Sequence, residues 1–511
     1  MPAPPSGRLC AAILLLAGLL LLPTLSLGHH SEGFYFDLLA RGLSWPEFLR
    51  ASWPSHADVF IRPVAFLSWK LNASLGAGRA WTYHLVNIGL HLAAVALLLG
   101  LARDWSGQPR YGAGVALLYA LFPAHATTVG WVVARFDLLA ILAAVASLWL
   151  LQRILQDRGH PGHALGVALL LAFGLLCKES IAALPLALSA WPFLQLAAPP
   201  APARKLAFRA IAGAWGVLLG YLLLRLAILD QPWGYAQLDW AGTGSPLEML
   251  RSFGAQLAAN LVLPCSALRL GKLGVGCAAA LVLMVTVAAI RERAARAALG
   301  AGLVLLASAL APVGSIAYWA VTENDWYYLS FPAIGVAWLL AAALLARDAA
   351  RRRLGYALAT LLATVYAVEL EIQVGHWSSA SRQVAGILRQ LKGHTGNRAA
   401  VYVFGPAIRF PGVVGVNLTT AKLSDTPLAA AATFRPGPGL MNLERLAWLH
   451  QLPPYRCFSE TGYPGIDAIP HHLTPADLTL ARGDSVWRWD PDHRVLRDLS
   501  DLLPRETRPI F

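Results

Sequence analysis

The chain has 511 residues, of which 57% are hydrophobic and only 14% charged, too few charges to coat a soluble globule of this size. A water-soluble enzyme is therefore excluded and a polytopic membrane protein is expected. The formal charge of +13 would suggest nucleic acid in a soluble protein, but here the arginines fall mainly in short gaps between apolar runs. There they act as topology signals with anionic lipid headgroups for neighbours, and no nucleic-acid partner is expected.

A spanning helix needs roughly 20 apolar residues. Windows of that kind fall near 10–28, 82–102, 111–131, 137–153, 163–178, 180–197, 207–229, 272–290, 297–317, 328–346 and 354–372, which gives about eleven spans. Arginine and lysine occupy alternate gaps, at Arg8, Arg103 with Arg110, Arg153 with Arg158, Arg204 with Lys205, Arg291 with Arg296, and Arg351 to Arg353. The positive-inside rule then puts the N-terminus in the cytoplasm and, after an odd number of spans, the C-terminus outside. The first window reads as an uncleaved helix, with Ser26-Leu-Gly28 offering a small-x-small cleavage site as the alternative.

The outward gaps are 29–80, 124–136, 230–271, 318–327 and everything after 373. Within 230–271, Pro246 to Leu263 is apolar but broken by Glu248, Arg251, Gln256 and Asn260, the pattern of an interfacial or re-entrant helix. Composition shifts after Ile372: His376 to Lys392 reads as a soluble amphipathic helix, and 401–405, 413–416 and 486–489 read as short strands. The expected organisation is an all-α polytopic membrane bundle at 1–373, with outer loops 29–80 and 230–271, followed by a small extracytoplasmic α/β domain at 374–511.

Five cysteines are too few and too scattered for a disulfide framework, and no CxxC, Walker, Rossmann or HExxH pattern supports zinc proteolysis or nucleotide hydrolysis. No cofactor is indicated. No carboxylate cluster carries hard-cation spacing either, so a divalent cation is left open.

Polar groups inside the apolar framework mark a site or an inter-helix contact. In the first outer loop Glu32 and Asp37 put carboxylates just beyond the membrane surface, where one can take a proton from an acceptor; the alternative is a pair of solvated loop residues. Asp58 and Arg62-Pro63 follow, and Arg62 can hold a phosphate by paired donors or salt-bridge within the loop. His84, Asn87 and His91 share one helix face, with catalysis and inter-helix hydrogen bonding as the two readings. His125, Arg135 and Asp137 lie in the next outer turn. Lys178 and Glu179 stand at a helix boundary, where Lys178 either anchors to the interface or neutralises a lipid phosphate, and Pro185 is expected to kink the helix beyond. Arg225 has the same two readings near the outer end of its helix.

The succession Arg62-Pro63, Tyr83-His-Leu-Val-Asn-Ile-Gly-Leu-His91, Leu121-Phe-Pro-Ala-His125, Arg135-Phe-Asp-Leu-Leu139, Lys178-Glu179 and Tyr327-Tyr-Leu-Ser-Phe-Pro332 resembles the GT-C superfamily of membrane glycosyltransferases. The branch is that of bacterial relatives of protein O-mannosyltransferases and of the transmembrane and tetratricopeptide-repeat O-mannosyltransferases, without the repeats. The resemblance covers roughly residues 10–345. It implies a sugar donor linked to a polyprenyl phosphate, transfer with inversion to an extracytoplasmic protein, lipid or glycan acceptor, and residence in the inner membrane.

The resemblance also implies a catalytic acid in the first outer loop, usually one of an Asp-Asp or Asp-Glu pair. The matching stretch is Ser31-Glu32-Gly33, which makes Glu32 the base and Asp37 its runner-up. The turn that ends in Thr-Glu in the family reads Ala126-Thr127 here, a second missing carboxylate. Arg62, Lys178, Arg135 and Arg225 are the implied phosphate ligands, with Asp58, His84, Asn87, His91, His125, Asp137 and Glu179 as supporting residues. Rival readings are a polysaccharide polymerase or ligase using polyprenyl-linked glycans and a non-catalytic membrane relative; a transporter is disfavoured because no inverted repeat is visible. In a eukaryotic source Asn72-Ala-Ser74 and Asn417-Leu-Thr419 would be glycosylation sequons.

Overall fold

The computed structural model describes residues 7–29, 36, 37, 40–53, 60–229, 262, 276, 280, 283, 286, 287, 292–313, 326–345 and 348–391, together with eight strands between 401 and 498. Glu32, Asp58, nearly all of the 230–271 segment and the 272–290 window, and the polar turn at 323–325 lie outside the described residues.

The described helices are α1 (Gly7–Leu21), α2 (Trp45–Ser52), α3 (Pro63–Gly76), α4 (Ala80–Ser106), α5 (Pro109–Ala120), α6 (Ala124–Gly130), α7 (Arg135–Leu155), α8 (Pro161–Leu175), α9 (Leu184–Ala190), α10 (Ala201–Leu229), α11 (Arg293–Leu310), α12 (Pro332–Leu340) and α13 (Ala349–Leu391). Six helical stretches among the described residues are long and apolar enough to cross a membrane, or seven if α5 and α6, bent by 64° at their junction, count as one broken span. Windows 163–178, 180–197 and 328–346 fall on the shorter apolar helices Pro161–Leu175, Glu179–Leu194 and Pro332–Leu345. The chain is a multi-pass membrane protein, and the leucines on α1 and α10 that remain exposed, such as Leu15 at 63% and Leu219 at 59%, face outward as lipid-contacting residues do.

Helix packing rests on small residues. At the α11–α12 crossing a Cβ on Gly335 would stand 2.6 Å from both the Gly302 carbonyl and the Leu306 nitrogen, so the two backbones touch without side chains between them. One apolar core runs through α1, α4, α5 and α7 to α13. A second core lies beneath the first loop, where Phe36, Phe48, Trp69, Tyr83, Phe136 and Trp377 pack together.

Two expectations need correction. The helix expected to begin at His376 is the continuation of α13, which runs unbroken through residue 373; Trp377 and Ala380 are fully buried in the second core. Loss of apolar composition after Ile372 marks a change in the helix's surroundings, since the hydrogen-bonded backbone has no reason to stop where its neighbours become polar. Pro185 does not kink a helix; it occupies the first turn of α9, where its missing N–H breaks no helical bond.

Past α13, β1 (Val401–Gly405) lies parallel to both β6 (Arg456–Ser459) and β7 (Ser485–Asp490), and β7 pairs antiparallel with β8 (Val495–Asp498). The pairs β2 (Ile408–Phe410) with β3 (Val413–Val416), and β4 (Lys422–Leu423) with β5 (Thr426–Pro427), are antiparallel. The segments expected as strands at 401–405, 413–416 and 486–489 fall on β1, β3 and β7.

Candidate functional site

The polar face of α4 is occupied with backbone carbonyls. The helix breaks between α5 and α6 because Pro123 has no N–H to give, and carbonyls left open inside an apolar bundle must find other donors. His91 Nε2 stands 3.2 Å from the Ala120 carbonyl at that break. At the far end of α6, Asn87 Nδ2 lies 3.4 Å from both the Val129 and Val132 carbonyls, and His84 Nδ1 3.4 Å from the Val129 carbonyl. The spacing of 84, 87 and 91 thus matches the two breaks of a bent helix. His125 is fully buried, its ring 4.2 Å from that of His91 and 4.6 Å from that of Tyr119.

Arg135 opens α7 and is fully buried. It donates to Asn87 Oδ1 at 2.9 Å, Asn72 Oδ1 at 2.8 Å, the Tyr83 carbonyl at 2.9 Å and the Ser68 carbonyl at 3.3 Å. Five donors in a planar fork suit this clamp, which joins α3, α4 and α7. These four bonds use all but one of the guanidinium N–H groups. Asn72 also donates to Thr82 Oγ1 at 2.9 Å and is buried, which leaves the Asn72 sequon inaccessible.

Asp37 lies against the same framework, 3% exposed. Tyr83 donates its hydroxyl to Oδ1 at 3.0 Å, and Arg41 reaches Oδ2 through Nε and Nη2, both at 2.9 Å. The α3–α4 turn closes over this clamp at Gly78, whose φ of +69° suits glycine and whose added Cβ would lie 2.3 Å from Arg41 Cδ. Both oxygens of Asp37 are thus engaged within the loop and by α4. Arg41 and Tyr83 were given no role from sequence; the four-residue spacing of Asp37 and Arg41 was the available signal for the first. Lys70 was missed as well: it donates to the Ala40 and Leu43 carbonyls at 2.8 and 2.6 Å, pinning the loop, and burial draws its ammonium below the ordinary lysine value against the opposing pull of Glu47.

The remaining predicted charges converge. Arg62 is the residue before α3, and the Val64 N–H donates to the Leu176 carbonyl at 3.3 Å, which sets the start of α3 beside the end of α8. Arg62 meets Glu179 through Nε and Nη2 at 3.1 and 2.5 Å, with the Phe60 ring 3.9 Å from its guanidinium centre. Lys178 Nζ sits 2.7 Å from both carboxylate oxygens of Asp137 and 4.7 Å from the centre of the Tyr328 ring. Arg225 is 1% exposed on α10, and both it and Arg62 act electrostatically on Tyr221, as does Glu179. Among the described residues Arg62 thus meets Glu179 and Lys178 meets Asp137, with Arg225 beside Tyr221 on α10. Among the described residues no group of three or more His, Cys, Asp or Glu side chains has the arrangement of a metal site.

No family model matches the chain. It is 31% identical over 215 residues to the protein O-mannosyl-transferase Tmtc2 of Drosophila melanogaster, a stretch that is 41% of this chain and 22% of that protein. Over 122 residues it is 32% identical to the Homo sapiens protein O-mannosyl-transferase TMTC2, which is 23% of this chain and 15% of that protein. The matched stretches span less than a quarter of these curated relatives. Among solved structures, the chain is similar to the Archaeoglobus fulgidus oligosaccharyltransferase tethered with an acceptor peptide, with a TM-score of 0.40 at 12% identity over 87% of this chain and 68% of that one. Its similarity to ArnT from Cupriavidus metallidurans bound to undecaprenyl phosphate has a TM-score of 0.34 at 13% identity, over 96% of this chain and 94% of that one. The resemblance to GT-C membrane glycosyltransferases read from the motifs is therefore also present as sequence identity to O-mannosyl-transferases.

Proposed function

We propose that the chain is a GT-C-type membrane glycosyltransferase that moves a sugar from a polyprenyl-phosphate donor to an acceptor hydroxyl on the extracytoplasmic side, with inversion. The observation that carries this reading is the buried convergence of Arg62 on Glu179 and Lys178 on Asp137, with Arg225 beside Tyr221, cations of the kind that hold a lipid-linked phosphate. Its likeness to proteins named O-mannosyl-transferases supports the same class.

In the reaction the acceptor oxygen attacks the anomeric carbon from the face opposite the phosphate, and its proton passes to the Glu32 carboxylate. The bond between the anomeric carbon and the phosphate oxygen breaks, and its electrons stay on that oxygen. Polyprenyl phosphate leaves with one more negative charge than the donor carried, so cations aimed at the phosphate stabilise the transition state more than the ground state. Lys178 and Arg62 hold that phosphate, Arg225 approaches from α10, and Arg135 and Asp37 keep the framework around them in place. The N-terminus is cytoplasmic, the host is the inner membrane, and the residues beyond α13 form an extracytoplasmic α/β domain that recruits the acceptor.

The test is transfer of radiolabelled sugar by purified protein in nanodiscs, with polyprenyl-monophosphate monosaccharides compared against polyprenyl-diphosphate oligosaccharides. Turnover confined to the monophosphate donors is expected. Turnover confined to the diphosphate donors would make the protein a polymerase or ligase, and no turnover with either would favour a non-catalytic relative.

A further inference from the structure

The inward stripe of α10 is Ala203, Ala207, Ala210 and Ala214, then Tyr221 and Arg225. The alanines let α10 lie close to its neighbours. Tyrosine and arginine at the end of such a stripe need another explanation, because each introduces polar atoms into an apolar interface. The Tyr221 side chain is almost fully covered, its O–H donates to no acceptor among the described residues, and the Arg225 guanidinium centre is 5.9 Å from its ring centre. Arg62 and Glu179 also lie within electrostatic reach of that hydroxyl, which places it on the cation cluster. Glu179 does not serve as its acceptor, being held through both oxygens by Arg62. A buried hydroxyl left open beside cations is poised for an anion that completes its hydrogen bonding.

We infer that Tyr221 is a phosphate-binding residue: its O–H donates to a non-bridging oxygen of a lipid-linked phosphate held between Arg62, Lys178 and Arg225, closing the pocket from the α10 side. The inference rests on the phosphate-site reading above. A hydroxyl donor gains strength as its acceptor gains charge, so Tyr221 acts most on the phosphomonoester that leaves after transfer.

The experiment measures binding of polyprenyl phosphate to the full chain in nanodiscs, for wild type, Tyr221→Phe and Arg62→Gln, with inorganic phosphate and phosphatidylglycerol as competitors. The phenylalanine retains the ring, so thermal unfolding without ligand should not change, while polyprenyl phosphate should bind about tenfold more weakly. Inorganic phosphate should compete, and phosphatidylglycerol should not. Wild-type affinity in Tyr221→Phe, with Arg62→Gln weakened, would remove Tyr221 from the site and leave the phosphate reading standing. A fall in ligand-free thermal stability that accounts for the whole loss would make Tyr221 structural and overturn the inference. Equal competition by phosphatidylglycerol would overturn it too, as the pocket would then take any lipid anion. Failure of wild type to bind polyprenyl phosphate would bring down the phosphate reading and this inference together.

Discussion

Arg135→Ala is expected to destabilise the protein by about 3 to 5 kcal/mol, the range for removing one partner from a buried charged network. The guanidinium is fully buried and all four of its acceptors lie on α3 and α4, so the substitution takes this donor from Asn87 Oδ1 and Asn72 Oδ1 in an apolar surrounding and unties α7 from both helices. Arg135→Lys should rescue little, because a lysine ammonium is a compact point charge that cannot span the directions of the fork. Thermal unfolding in detergent or nanodiscs checks this, and a shift within error of wild type would show that Arg135 does not clamp α3, α4 and α7. Transfer activity should fall with the folded fraction and no further, which separates a structural arginine from a phosphate ligand.

The largest effect on activity is expected at the first loop. With Glu32 as the base, Glu32→Gln should lower kcat by roughly 100-fold to 10,000-fold while donor affinity stays at the wild-type level, as removal of a general base does. Asp37→Asn should cost much less activity, because Tyr83 and Arg41 already occupy both oxygens of Asp37 and its work is to order the loop. Steady-state transfer rates of the two variants distinguish the roles; a loss at Asp37→Asn that matches or exceeds the loss at Glu32→Gln would move the base along the loop to Asp37.

Much of this arrangement is legible in the sequence because hydrophobic windows and short motifs are local signals. The runs at 82–102 and 207–229 fall on α4 and α10, and the motifs point to Arg62, Arg135, Lys178 and Arg225 as the phosphate-binding cations. What local reading could not supply was pairing over long separations. Arg62 is 117 residues from Glu179 and Lys178 is 41 residues from Asp137, and only packing of α3, α7 and the α8 end together creates those pairs. The same limit hid the destination of the α4 stripe: nothing in the spacing of His84, Asn87 and His91 says whether it meets a substrate or the carbonyls of a broken helix. The α13 helix runs past the composition shift at Ile372 because composition reports what surrounds a helix and says little about where its backbone ends.

Equilibrium binding of a radiolabelled polyprenyl-phosphate monosaccharide to the protein in nanodiscs, for wild type, Arg62→Gln and Lys178→Gln, tests whether these cations hold the donor phosphate. Glutamine keeps a hydrogen bond available to Glu179 or Asp137 while removing the charge, so the variants should fold, and ligand-free thermal unfolding monitors this. Each variant is expected to bind at least about tenfold more weakly, the cost of one charge-assisted hydrogen bond to phosphate. Folded variants that bind the donor as tightly as wild type would show that the charge cluster is a structural network and that the donor phosphate is held elsewhere.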